Sequence, residues 1–247
     1  MASVALHNLT LGYERRPAVH HLEGVFASER LHAVVGPNGS GKSTLLKGMA
    51  GALAPLSGSV DLAGIRPQDI AYLPQEHGVD RGFPMTLEDL VGLGLWGRRG
   101  LFGTIGKDDR HRLHHAFEAV GLSGFEQRGV DQGSGGQLQR ALFARVLLQD
   151  ARVILLDEPF AALDARTTAD LLALIQRWPS EGRTVVMVLH DLDVVRRTCA
   201  DTLLLAREMV AWGPTAQALS AENLLTARRL SEAWADHAEV CHKDEAA

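Results

Sequence analysis

The stretch LHAVVGPNGSGKST at residues 31–44 constrains this chain more than any other. Leu31–Val35 is a nearly continuous apolar run and predicts a strand buried on both faces. It leads directly into a glycine-rich loop, and residues 43–50 then carry helical spacing that ends at Gly51 with Pro55 beyond. Strand, G-x-x-x-x-G-K-[ST] loop and helix form the setting in which a backbone can hold a triphosphate. Gly36, Gly39 and Gly41 free the backbone to turn its N–H groups toward phosphate oxygens, and Pro37, Asn38 and Ser40 complete the cradle. The dipole of the following helix adds to the pull. Lys42 reaches the β- and γ-phosphates as a point charge, the Ser43 hydroxyl is placed to ligate Mg²⁺, and Thr44 assists at the α/β end.

A second constraint is VILLDEP at residues 153–159, which puts two acids at the carboxyl end of a buried strand. Ligands bind at that end in open α/β sheets. Asp157 can orient Mg²⁺ and its waters. Glu158, one position on, points elsewhere and can polarise a water for in-line attack on a γ-phosphate. The plainer reading makes Asp157 a cap for the next helix, but a Glu–Pro step after four apolar residues favours the catalytic one.

Around these two anchors the chain reads as α/β. Residues 3–62 alternate apolar and polar positions between Gly and Pro turns, predicting short, partly antiparallel strands. Ile70–Leu73 is another strand and runs into Pro74–Gln75. Helical patterns follow at 86–95, 107–120 and 137–148, with a Gly-rich stretch at 97–106 between the first two, and together they predict a helical insert. Beyond it, strands at 153–156, 184–189 and 202–206 alternate with a helix at 166–178 and a shorter one, a βαβα rhythm. The tail from Ala221 holds one amphipathic stretch and then polar residues.

The 247 residues allow one large core with an inserted subdomain, and no apolar run approaches the roughly 20 residues of a membrane span. An N-terminus without an export pattern and only two cysteines, Cys199 and Cys241, set the expectation of a cytoplasmic, reducing location. A net charge of −5 argues against nucleic acid as a partner, since phosphate backbones need clustered Lys and Arg.

With five further strings in the same order, these motifs resemble the ATP-binding subunits of ABC transporters over nearly the whole chain. Tyr13 resembles the aromatic that stacks on adenine. Gln75 resembles the loop glutamine that meets Mg²⁺ or the attacking water. GSGGQ at 133–137 resembles the signature peptide, and its Ser134, Gly135, Gly136 and Gln137 would bind ATP held by a second subunit. Residues 162–164 resemble the turn that contacts the opposite protomer, with Asp164 as the dimer contact, and His190 resembles the histidine that touches the γ-phosphate. The resemblance implies an ATPase with Glu158, His190, Gln75 and Lys42 as its catalytic set and Mg²⁺ held by Ser43, Gln75 and Asp157. Taken singly, Tyr13, Gln75 and His190 also read as ordinary strand or surface residues; their order in the set is the signal.

The resemblance also implies a P-loop NTPase cassette with an antiparallel β subdomain, a RecA-like core and an inserted helical subdomain. Residues 1–82 and 149–220 would form the ATP-binding core with its β subdomain, 83–148 the helical signature subdomain, and 221–247 a C-terminal helix and flexible tail. One departure is Gly133, where the family usually has an apolar residue, most often Leu; a looser signature helix and slower closure are expected.

A cassette of this kind implies a homodimer on the cytoplasmic face of the inner membrane, an integral membrane permease and an extracytoplasmic metal-binding protein. The stretch VDRGFPMTLEDLV at 79–91 is similar to the segment in ATPases serving zinc and manganese uptake, which places zinc first and manganese next as cargo. ATPases for haem, cobalamin or ferric chelates share parts of it, and a non-transport ABC ATPase is the remaining alternative. His111 with His115, and His237 with Cys241 and His242, carry ligand chemistry, but a solvated helix face and a polar tail account for them equally. Arg98 and Arg99 are read as a solvated loop.

Overall fold

The structure is a computed structural model that describes residues 2–14, 16–75, 79–80, 82–99, 106–161 and 163–236. β1 (Val4–Tyr13) and β2 (Arg16–Phe26) pair antiparallel, from Val4 against Phe26 to Tyr13 against Arg16. β3 (Leu31–Val35) delivers the glycine-rich loop to α1 (Lys42–Met49). β4 (Ser57–Asp61) then returns to the free edge of β1, and β5 (Ile70–Leu73) opens the second sheet. Next come α2 (Leu87–Gly92), continued by a 3-10 turn at Leu93–Leu95, α3 (Trp96–Arg99), α4 (Lys107–Ala119) and α5 (Gly135–Gln149). The chain re-enters the sheet as β6 (Val153–Asp157) and continues through α6 (Ala165–Ile175), β7 (Thr184–Val188), α7 (Leu192–Thr198), β8 (Asp201–Ala206), β9 (Glu208–Pro214), α8 (Thr215–Ala218) and α9 (Ala221–Asp236).

The larger sheet has the order β5-β6-β7-β3-β8-β9, parallel except for β9 at one edge. The period of two along its strands sorts residues between two cores. Val34, Leu155, Val186, Val188, Leu203 and Leu205 face α1 and the β1–β2 hairpin, burying Leu45, Leu46 and Met49 with Leu9 and Leu11. Ala33, Val35, Leu73, Leu156, Met187 and Leu204 face the other way, onto α2, α4, α5 and α6. Both faces are therefore covered, which is why these strands read as unbroken apolar runs.

Four expectations change. The first strands are long, at ten and eleven residues, because register shifts between Leu6 and Leu9 and again near Leu11 let them bend over α1 without breaking. β9 has no counterpart among the expected strands: it is a half-exposed edge strand whose side chains carry little apolar alternation. Gly97, expected to begin a loop, lies in the helical turn of α3, while residues 100–105 fall outside the described residues, as do the side chains of Arg98 and Arg99. The predicted helix at 137–148 starts earlier, at Gly135, because Ser134 accepts from the Gln137 N–H while the Gln137 side chain accepts from the Ser134 N–H, a reciprocal cap.

Candidate active site

The parallel register brings several strand ends to one edge. Leu73 lies opposite Leu156, Asp157 opposite Val188, and Val35 opposite Leu204, so the segments leaving β3, β5, β6 and β7 emerge side by side. They enclose a cleft of about 690 Å³ lined by Asn38, Gly39, Gly41, Lys42, Ser43, Thr44, Gln75, Glu158 and His190, with Ala18 of β2 beside Gly41.

Close approach explains two of the glycines. A Cβ on Gly36 would sit 1.9 Å from the Leu205 carbonyl oxygen, and Gly41, at φ 94°, has the Ala18 carbonyl and the Val19 side chain within 2.5 Å of where its Cβ would be. No other residue fits either position. Lys42 is only 6% exposed and donates to the Gly36 and Pro37 carbonyls at 3.0 and 2.8 Å, so its ammonium lies inside the loop. Burial pushes its pKa below the ordinary lysine value, opposed by Glu158 and Asp157.

Asp157 is 1% exposed, and its Oδ1 has no hydrogen-bond partner among the described residues. Burial pushes its pKa above the usual carboxylate range, with the Ser43 hydroxyl acting in the other direction. A leftover carboxylate oxygen beside the Ser43 hydroxyl, with Ser43 and Gln75 both lining the cleft, is the kind of oxygen donor set that a hard cation such as Mg²⁺ takes. Glu158 adopts φ 50°, a left-handed backbone that costs a non-glycine residue on the order of 1–3 kcal/mol. Its N–H donates to the Val188 carbonyl at 3.2 Å, and its carboxylate lies 2.6 Å from His190 Nε2. The strained turn aims Glu158 across the cleft floor, where it faces both Lys42 and His190.

Ser134 begins α5 as its N-cap, with Gly135 and Gly136 in the first turn. Arg140 fastens that turn to the end of α4 by donating to the Gly121 carbonyl at 3.0 Å. These residues do not line the cleft of their own chain. Gly133 is in extended conformation, φ −74° and ψ 139°, and a Cβ there meets only ordinary contact, 3.5 Å from the Val130 carbonyl. A Cβ is thus tolerated, and Gly133→Ala is expected to add about 0.4–1 kcal/mol of stability by narrowing the unfolded ensemble, while Gly133→Leu is expected to speed ATP-driven dimerisation. Urea unfolding and light scattering check this; an unchanged midpoint and unchanged dimerisation rate would contradict it.

A family profile described as ABC transporter matches residues 19–161, from β2 to just past the Glu158 turn. The chain belongs to the ABC transporter family. The manganese transport system ATP-binding protein MntB of Listeria monocytogenes is 39% identical over 224 residues, covering 89% of this chain and 93% of that one. The zinc transport system ATP-binding protein TroB of Treponema pallidum is 37% identical over 225 residues, 89% of this chain and 84% of the relative. A dimeric post-hydrolysis ATP-binding cassette bound to ADP and Pi superposes with a TM-score of 0.75 at 25% identity, over 86% of this chain and 98% of that one. The α/β cassette expected from sequence is the fold found.

Other expected residues of this ABC cassette lie apart from the cleft wall. Tyr13, at the end of β1, is 48% exposed, with the Lys47 ammonium 5.9 Å from its ring centroid. Asp164 caps α6, accepting from the Thr167 N–H at 2.9 Å and its hydroxyl at 2.7 Å, and these bonds hold its carboxyl below the usual pKa range. Ala162 lies outside the described residues, as do His237, Cys241 and His242. His111 and His115 pack edge to face at 4.4 Å on α4, and no group of three metal-ligating side chains occurs among the described residues. Sequence reasoning overlooks Ala18, and of Gln139 it says only that Leu138–Arg140 follows the signature peptide; the folded contacts alone reveal what either side chain meets.

Proposed function

We propose that this chain hydrolyses ATP as the nucleotide-binding subunit of a metal-uptake ABC system, acting as a homodimer on the cytoplasmic face of the inner membrane. The observation that carries the reading is the convergence of Lys42, Ser43, Gln75, Glu158 and His190 on one cleft. The loop N–H groups and Lys42 bind and orient the triphosphate. Glu158 takes the proton of the attacking water, and His190, already in contact with it, fixes its direction and meets the γ-phosphate. Mg²⁺ bound with ATP through Ser43, Gln75 and Asp157 would neutralise charge on the phosphate oxygens. Tyr13 supplies an exposed ring for adenine.

The exposed Ser134 turn, lying away from its own chain's cleft, supports a head-to-tail dimer in which it closes the partner's nucleotide site, with Asp164 at the same seam. Residues 83–148 act as the moving helical part. Among the described residues no helix is long and apolar enough to cross a membrane. A separate permease carries the cargo, a reading supported by the relatives being ATP-binding proteins of transport systems. It docks on the groove lined by Val79, Phe83, Met85, Leu90 and Leu93. An extracytoplasmic metal-binding protein completes the system, and the net charge of −5 fits a chain with no nucleic-acid partner.

The cargo is a divalent metal: residues 79–91 are similar to the segment of ATPases for zinc and manganese uptake, and relatives serving each are 37% and 39% identical; zinc is the first reading and manganese the second. Metal accumulation in cells lacking the gene separates them. Wild type is expected to restore cellular zinc and Glu158→Gln is not; restoration of manganese alone selects the second reading, and restoration of neither contradicts metal uptake.

A further inference from the structure

Gln139 lies in the second turn of α5, 1% exposed, where its neighbours Leu138, Ala141, Leu142 and Phe143 along the helix are buried and apolar. Its Nε2 donates to the Pro159 carbonyl at 2.8 Å. Its Oε1 has no hydrogen-bond partner among the described residues. An amide that spends half of its hydrogen-bonding capacity on nothing is a poor way to fill a core, where a leucine would leave no polar atom behind. What it does achieve is a bond to the residue directly after Glu158, at the turn where the backbone is held at φ 50°. The other side of that turn is held by the Glu158 N–H on the Val188 carbonyl and by His190 on the carboxylate. α5 is itself fixed to the sheet, with Gln149 donating to the Ile70 carbonyl at 2.8 Å and Arg145 to the Tyr72 carbonyl at 3.3 Å.

We infer that Gln139 is a positioning residue for Glu158, tying the turn that carries the base to the helix whose first residues meet the partner's nucleotide. The inference rests on the ATPase reading above and deepens it. A shift of α5 when Ser134 engages the second ATP is passed through one side-chain amide to the Pro159 carbonyl, so that occupation of one nucleotide site sets the aim of the base in the other.

Steady-state ATPase assays on the full-length protein test this. Gln139→Leu exchanges one unpaired acceptor, Oε1, for another, the Pro159 carbonyl, so its melting temperature is expected to stay near wild type. Its kcat is expected to fall by about tenfold to a hundredfold, as for a modest misplacement of a catalytic group, with KM for ATP within about twofold. Gln139→Glu is expected to be impaired at about pH 8 and to recover toward about pH 6, because a buried carboxyl holds its proton to higher pH and can then donate to Pro159 as the amide does. The Leu variant's deficit relative to wild type should be flat over the same range. A folded Gln139→Leu protein with wild-type kcat overturns the inference, as does a Glu variant whose deficit does not change with pH. Unfolding of both Gln139→Leu and Gln139→Met would assign the residue to core packing and also overturn it. If Glu158→Gln keeps its turnover, the reading of Glu158 as the base has failed; if Glu158→Gln is inactive while Gln139→Leu is not, only the positioning role has.

Discussion

Replacing Glu158 with glutamine is expected to lower ATP turnover by about 10²–10⁴-fold, the usual contribution of a positioned general base, while ATP still binds. The substitution changes little else. Glutamine has the same length, its amide oxygen can still accept from His190 Nε2, which lies 2.6 Å away in the native protein, and the left-handed turn at φ 50° is no harder for it than for glutamate. What is lost is the capacity to take a proton. Phosphate release should therefore collapse in a protein that retains nucleotide and stays folded. Undiminished release would move the base to another residue, and loss of ATP binding would show that the carboxylate acts in the ground state.

Lys42→Ala is expected to act at the earlier step. The ammonium satisfies the Gly36 and Pro37 carbonyls, and both Glu158 and Asp157 act on it to hold its proton. Removing it leaves two carbonyls without their donor and two acids with less counter-charge at the place where a triphosphate must enter. A hydrogen bond to a charged group contributes about 1.5–3 kcal/mol, so ATP affinity should drop by roughly tenfold to a hundredfold, with turnover falling further. Lys42→Arg should rescue little, because a planar guanidinium cannot occupy the compact space of an ammonium inside the loop. Equilibrium binding of a fluorescent ATP analogue reads the first effect and phosphate release the second. Wild-type affinity in Lys42→Ala would remove the loop from the site.

The elements legible in the sequence are those whose chemistry is local. A buried parallel strand announces itself as an apolar run, and a glycine loop or an acidic strand end is defined by neighbours in the chain, so Leu31–Val35, the Lys42 loop and the Asp157–Glu158 pair follow from the order of residues alone. The Ser134 turn is legible for the same reason, although its helix start at Gly135 needs the reciprocal Gln137 bond to become plain. What the sequence hides is non-local. The length of β1 and β2 depends on bulges that bend them over α1, and β9 pairs along a sheet edge with little apolar pattern to mark it. Ala18 joins the cleft only because β2 folds back against Gly41, and Gln139 gains its meaning from a carbonyl twenty residues away. The His190 to Glu158 contact spans strands that are adjacent in space but separated by a helix in the chain.

A structure of Glu158→Gln with ATP and Mg²⁺ tests the account at its centre. Two copies should face head to tail, each triphosphate lying between Lys42 of one protomer and Ser134 of its partner. Nucleotide held by a lone copy, or bound away from the Lys42 loop, would contradict it.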